Sequence, residues 1–147
     1  MKEEMKIRVA GLIVHKNALL MVKHVKNGKS YWMLPGGGVK IGESIKEALQ
    51  RELREEINLE SMVREMVFVV ESMLSAEKHI IQPTFRVETD AINDLRLGKD
   101  MRVREFSFFQ VQDLDGITLY PDIKDVCADF LKTNSCEKKY FIKKWIE

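Results

Sequence analysis

The 147 residues suit one domain, residues 1–147. With 45% hydrophobic and 32% charged residues, the chain can fill a core and keep a wetted surface. Lys+Arg 24 against Asp+Glu 23 leaves a formal charge of +1, so no global field draws DNA, RNA or an acidic membrane.

The first residues, Met1-Lys2-Glu3-Glu4, lead into an apolar stretch with charges interspersed, which is neither a signal peptide nor a span. Apolar runs at residues 7–14 and 19–25, split by His15-Lys16-Asn17, predict a hairpin. Residues 27–30 predict a turn, and residues 32–34 a short extended piece that stops at Pro35. Gly36, Gly37, Gly38 and then Gly42 predict a loop whose backbone can approach a ligand closely. Residues 44–57 have helical periodicity, residues 63–70 and 79–87 are strand-like, residues 89–101 form a polar loop, and residues 102–111 are a Phe-rich strand. Ile123, Val126, Cys127, Phe130 and Leu131 make an amphipathic helix that starts at Pro121 and Asp122. Strands flanking two helices without strict alternation predict a mixed sheet with helices on its faces. No apolar run approaches the roughly 20 residues of a membrane helix. Cys127 and Cys136 are too few for a disulfide framework and lack metal-ligand spacing, so a reducing, cytoplasmic setting fits.

The helix at residues 44–57 breaks its own pattern. At about 100° per residue, Ile45, Ala48, Leu49 and Leu53 share a face with Glu52 and Glu56, and Glu55 lies at its edge. A buried carboxylate costs several kcal/mol unless compensated, and acids near a helix C-terminus oppose the macrodipole. A bound cation resolves both conflicts. Three carboxylates without His or Cys form a hard oxygen site suited to Mg²⁺ or Mn²⁺. A solvated helix with Arg51 and Arg54 pairing the glutamates is the ordinary alternative, and the glycine run upstream decides against it.

Gly37, Glu43 and Arg51-Glu52-Leu53-Arg54-Glu55-Glu56-Ile57-Asn58-Leu59 resemble the Nudix box, in which Gly, five residues, Glu and seven residues precede Arg-Glu-apolar-x-Glu-Glu-x-Gly-apolar. Asn58 stands where the family has Gly, and Asn is the next best residue for a left-handed helix end. The box covers about a sixth of the chain. Outside it, Trp32 before Leu34-Pro35-Gly36-Gly37, and Arg104-Glu105-Phe106 before Asp113-Leu114, also look like family features.

The resemblance implies an α/β/α sandwich around a mixed sheet. It implies metal binding by Glu52, Glu55 and Glu56 with help from the Gly36 carbonyl, Arg51 pairing with Glu43 or a box glutamate, and a loop shaped by Gly37 and Gly38. The implied reaction is attack of metal-activated water on a phosphoanhydride of a nucleoside diphosphate derivative. Glu56, Glu55 and the distant Glu105 are the candidate bases, and Arg8 and Arg86 are candidates for a second phosphate, although exposed strand positions are the ordinary role of such residues. A nucleoside diphosphate linked to another group, such as ADP-ribose, competes with a nucleoside triphosphate, oxidised or not. A non-catalytic nucleotide-sensing module is the alternative from another class. The proline and tyrosine that mark ADP-ribose and diadenosine polyphosphate enzymes are missing at the expected distance after the box, which favours the triphosphate or a broad specificity.

His15, His24 and His79 show no ligand spacing. The methionines and Trp32, Phe85, Phe106, Phe108 and Phe109 are mainly core candidates. The basic, aromatic tail at residues 138–145 predicts a strand or helix packed on the domain or on a second subunit. Tyr140, Phe141, Ile142, Trp145 and Ile146 are too apolar to hang in water, so a homodimer is expected.

Overall fold

The computed structural model describes residues 2–145; Met1, Ile146 and Glu147 lie outside the described residues. In chain order the elements are β1 (Glu4–Leu12), β2 (Val14–His15), β3 (Ala18–Lys26), β4 (Lys29–Met33), β5 (Gly36–Gly38), α1 (Ile45–Ile57), β6 (Met62–Met73), β7 (Lys78–Glu88), β8 (Val103–Phe109), α2 (Lys124–Thr133) and β9 (Tyr140–Ile142). One sheet runs β5-β1-β7-β6-β9; the other runs β2-β3-β4 with β8 on β3. The β1–β7 and β6–β9 pairs are parallel and the others antiparallel, so the fold is mixed α/β as expected. Among the described residues no helix is long and apolar enough to cross a membrane.

The apolar runs at residues 7–14 and 19–25 do not form one hairpin. The first divides after Leu12. β1 enters the five-stranded sheet, and only Val14 and His15 fold back on β3. Residues 8–12 are buried because both faces of β1 are covered: Ala10 and Leu12 point into one core cluster and Val9 into the other, while β5 and β7 flank the strand in the sheet. Lys16 and Asn17 close the short β2–β3 turn with positive φ of 51° and 62°. The next turn is narrower than predicted: Asn27 and Gly28 make it, while Lys29 and Ser30 already belong to β4.

The glycine run is a strand rather than a loop. Gly36, Gly37 and Gly38 pair with Ala10, Val9 and Arg8 of β1. Only glycine fits at Gly36, where a Cβ would lie 1.9 Å from the Val9 carbonyl oxygen.

α1 starts at a capping box: Ser44 Oγ accepts from Glu47 N, and Glu47 Oε1 accepts from Ser44 N. It ends at Asn58 in the left-handed conformation, φ 54° and ψ 39°. α2 begins at Lys124 rather than at Pro121 and Asp122, because Ile123 occupies the cap and no side chain caps it. One core cluster lies beneath α2, with Leu12, Met21, Phe68 and Phe130; the other lies beneath α1, with Val9, Val22, Leu49 and Leu53. Phe85 and Phe109 are buried core residues, and Trp32, Phe106 and Phe108 pack partly buried against these clusters.

The apolar tail packs within the chain in part, while Tyr140 and Ile142 stay exposed at 48% and 58%. β9 lies parallel to β6, Phe141 meets Phe68 edge-on at 5.7 Å, and Trp145 is 4% exposed. This is the rival to the twofold partner expected from these residues; Ile146, named with them, is outside the described residues.

Candidate active site

The site forms where α1 crosses β5. A helix face needs apolar residues at the spacing of Ala48, Leu49, Leu53 and Ile57, and all four are fully buried. Glu52 and Glu56 ride on the same face and are carried inward, to 4% and 1% exposure. β5 accommodates them because its residues have no side chains. A Cβ on Gly37 would lie 2.4 Å from Glu52 Cδ, and the Gly36 N–H donates to Glu56 Oε1 at 2.8 Å.

A third carboxylate arrives from the long loop. The N–H groups of Arg96, Gly98 and Asp100 donate to the carbonyls of Ile57, Glu56 and Glu55, which satisfies the open end of α1. Gly98 permits this approach, since a Cβ there would lie 2.1 Å from Glu55 O. The docked loop places Asp100 beside the helix, and Glu52, Glu56 and Asp100 each offer an oxygen within 4.8 Å of the others.

The electrostatics of the three differ. Burial pushes the Glu56 carboxyl up, against the opposing pull of His24, Arg8 and the Gly36 N–H. Burial also raises Glu52, against its hydrogen bond from Arg51. Asp100 is held down by Arg102, whose Nε and Nη2 donate to its two oxygens at 3.0 and 2.8 Å.

Arg51 organises the rim. Its Nε and Nη2 fork onto Glu43 at 3.1 and 2.7 Å, Nη1 reaches Glu52 at 2.8 Å and Glu55 at 3.2 Å, and Nη2 also donates to the Gly38 carbonyl. These bonds hold the Glu43 carboxyl down at about 2. Glu55 itself is exposed.

The carboxylates open into a cleft of about 670 Å³. Arg8 lines it, buried rather than exposed on its strand. Arg8 Nη1 donates to Gln82 Oε1 at 2.7 Å and Nη2 to the Leu34 carbonyl at 2.8 Å. Both partners are neutral, and burial lowers the Arg8 pKa.

Six buried side-chain atoms lack a hydrogen-bond partner among the described residues, and four belong to this region: His24 Nε2, Glu52 Oε2, Trp145 Nε1 and Gln82 Nε2. Such atoms cost free energy unless something meets them. Glu52 Oε2, in an all-oxygen carboxylate set, fits a hard divalent cation.

Two expected residues stand elsewhere. Glu105 pairs with Lys23 at 3.7 Å, is half exposed and does not line the cleft. Arg86 Nε bonds Glu65, its guanidinium holds Asn134 at the end of α2, and it lies 5.1 Å over the Phe130 ring. Asp100, Arg102, His24 and Trp145 were not singled out as site residues. His24 stacks on Tyr31 and brings Nε2 to 3.9 Å from Glu56 Oε2. For Asp100 the one available signal was Gly98, a glycine in an otherwise polar loop.

A model of the NUDIX domain matches residues 5–130. The chain is 29% identical over 128 residues to the ADP-ribose pyrophosphatase of Methanocaldococcus jannaschii, covering 86% of this chain and 73% of that protein. It is 27% identical over 137 residues to an RNA pyrophosphohydrolase of Pelagibacter ubique, covering 78% and 85%. Among solved structures, the MutT protein from Methanosarcina mazei Go1 superposes with a TM-score of 0.72 at 25% identity, covering 92% of this chain and 99% of the other. The carboxylate helix on its glycine strand and the match over residues 5–130 lead to one conclusion: the chain is an enzyme of the Nudix hydrolase family.

Proposed function

We propose that the chain, acting as one domain, is a Mg²⁺- or Mn²⁺-dependent pyrophosphohydrolase that cuts a nucleoside triphosphate to monophosphate and pyrophosphate. The observation that carries this reading is the buried trio of Glu52, Glu56 and Asp100, whose oxygens converge within 4.8 Å. Glu52, Glu56 and Asp100 would hold the metal, with Glu55 at the rim and the Gly36 backbone beside them. When bound, a divalent cation neutralises phosphate charge and lowers the pKa of water.

The remaining tasks belong to the chain. Arg51 fixes the orientation of Glu52 and Glu55 and is itself fixed by Glu43. Glu56 and Glu55 at the rim are the candidate general bases. Gly37 makes room for Glu52, and Gly38, where a Cβ would meet nothing within 4 Å, leaves room for a phosphate to approach β5. Arg8, buried with only neutral partners, receives a second phosphate, because a buried cation gains most from an anionic ligand. Lys6, Lys26, Lys40, Lys78 and Arg102 also line the cleft, against Glu4 and the two box glutamates, which supports a polyanionic substrate. The free thiols Cys127 and Cys136 fit a reducing compartment such as the cytoplasm.

The second reading is a nucleoside diphosphate linked to a sugar, favoured by the likeness to an ADP-ribose pyrophosphatase. Incubating the chain with Mg²⁺ and a panel of triphosphates and diphosphate-linked nucleosides, with pyrophosphate and monophosphate as readouts, separates the two. Pyrophosphate release from triphosphates supports the first reading. Cleavage restricted to diphosphate-linked nucleosides overturns it.

A further inference from the structure

Arg102 lines the cleft two residues beyond the carboxylate it holds. Its Nε and Nη2 fork onto the two oxygens of Asp100 at 3.0 and 2.8 Å, and its backbone N–H donates to Asp100 Oδ1 at 3.0 Å. The two side chains differ in burial: that of Arg102 is 73% exposed and that of Asp100 9%. Solvent screens such a pair, so parting it costs little. The backbone bond holds Asp100 in place without the guanidinium. Arg102 is attracted by Glu52 and Glu56 as well as by Asp100. It therefore lends positive charge to the same trio whose oxygens converge within 4.8 Å. That charge competes with a divalent cation for the trio, because both Asp100 oxygens already face the guanidinium. Arg102 also repels Arg8, the buried cation of the same cleft. Two like charges lining one cleft gain from an anion between them. Arg8 is fixed in the wall by Gln82 and Leu34, so the member of the pair free to move is Arg102.

We propose that Arg102 is an exchangeable counter-charge: it neutralises Asp100 in the metal-free chain, yields that carboxylate to a divalent cation, and turns its fork onto a phosphate of the substrate. The proposal rests on the metal-dependent hydrolase reading above and adds a substrate-binding residue to it. A guanidinium that fits two carboxylate oxygens also fits two phosphate oxygens. The exchange keeps charges paired in both states: Arg102 with Asp100 before, Arg102 with phosphate after. A simple brace, which fixes Asp100 so that it can bind metal, predicts the opposite change in metal affinity when Arg102 is removed.

The test is calorimetric binding to the intact chain of Mn²⁺ alone, and of inorganic tripolyphosphate in excess Mn²⁺, for the wild type, Arg102→Ala and Arg102→Lys. Arg102→Ala is expected to bind Mn²⁺ at least about threefold tighter, because a competing charge is gone. It is expected to bind tripolyphosphate at least about tenfold weaker, because a charge-assisted fork is lost. Arg102→Lys keeps the charge and loses the fork, so both its affinities should lie between those of Arg102→Ala and the wild type. Weaker or unchanged Mn²⁺ binding in Arg102→Ala overturns the proposal, and the weaker result makes Arg102 a brace for Asp100. Unchanged tripolyphosphate affinity in Arg102→Ala overturns it too, as does a lysine variant outside that interval. No Mn²⁺ binding to the wild type at millimolar metal would sink the metal-dependent reading along with the proposal. Mn²⁺ binding and triphosphate hydrolysis by the wild type, with the wrong sign in Arg102→Ala, would sink the proposal alone.

Discussion

α1 and α2 are two answers to the same packing problem. Each lays one face on a sheet, and each ends at an asparagine in the left-handed conformation, Asn58 and Asn134. α2 buries Val126, Cys127 and Phe130, and nothing on that face lacks a partner it needs. α1 buries Leu49, Leu53 and Ile57 together with Glu52 and Glu56, leaves Glu52 Oε2 unmet, and takes Asp100 from a distant loop. The contrast separates what holds this fold from what gives it chemistry. An apolar helix face is explained by burial alone, whereas a face that buries charge needs partners, which here are Arg51, the Gly36 N–H and, on the proposed reading, a cation.

The largest effect is expected on the apolar helix. Phe130→Ala removes one of the largest fully buried side chains and should destabilise the chain by about 3–5 kcal/mol in denaturant unfolding. The folded fraction should keep its kcat. A large kcat loss at full occupancy of the folded state would blur the division between the helices.

Glu56→Gln reverses the pattern. It should lower kcat by at least about 100-fold, roughly 2.7 kcal/mol of barrier, while the chain stays folded. In the metal-free chain it should raise the Tm, because it removes a charge that burial disfavours. Thermal melts and steady-state rates on one preparation check both parts.

Arg51 sharpens the comparison, since α2 has no counterpart to it. Arg51→Ala should reduce metal affinity and kcat together, and Arg51→Lys should restore only part, because lysine cannot fork onto Glu43. The pair also has a pH signature. The Glu43 carboxyl is lowered from 4.5 to about 2, so its contribution to stability is complete above 4.5 and lost as the pH falls through about 2. Glu43→Gln should therefore narrow its stability gap to the wild type across that window, and a gap constant through it would contradict the assignment.

The smallest effect is at the shared helix ends. Asn58 already holds the left-handed conformation that the family's glycine supplies, so Asn58→Gly should change stability by at most about 1 kcal/mol and activity by only a few-fold. Its Nδ2 also donates to Asp94 O at 3.3 Å, and a large activity loss would assign that contact a role in holding the loop.

Local signals made α1 legible in the sequence: the periodicity of Ala48, Leu49 and Leu53, the charges that interrupt it, and the glycines six and more residues before Glu43. Non-local pairing hid the rest. Nothing in residues 7–14 announces that the run divides between two sheets, because both parts are equally apolar. Asp100 lies 44 positions beyond Glu56 and joins it only through backbone bonds to the end of α1. Arg8 and Arg86 read alike as strand arginines, yet one turns into the cleft and the other closes α2. Trp145 read as part of a tail seeking a partner, and it found the cleft wall of its own chain.

The central claim is that α1 buries carboxylates for a cation. Its most direct test is the thermal melt of the chain titrated with Mn²⁺ or Mg²⁺, wild type against Glu52→Gln/Glu56→Gln. The account predicts a Tm that rises with metal concentration in the wild type, as binding to the folded state alone requires, and no rise in the double variant. Equal rises in both, or none in the wild type at millimolar metal, would contradict it.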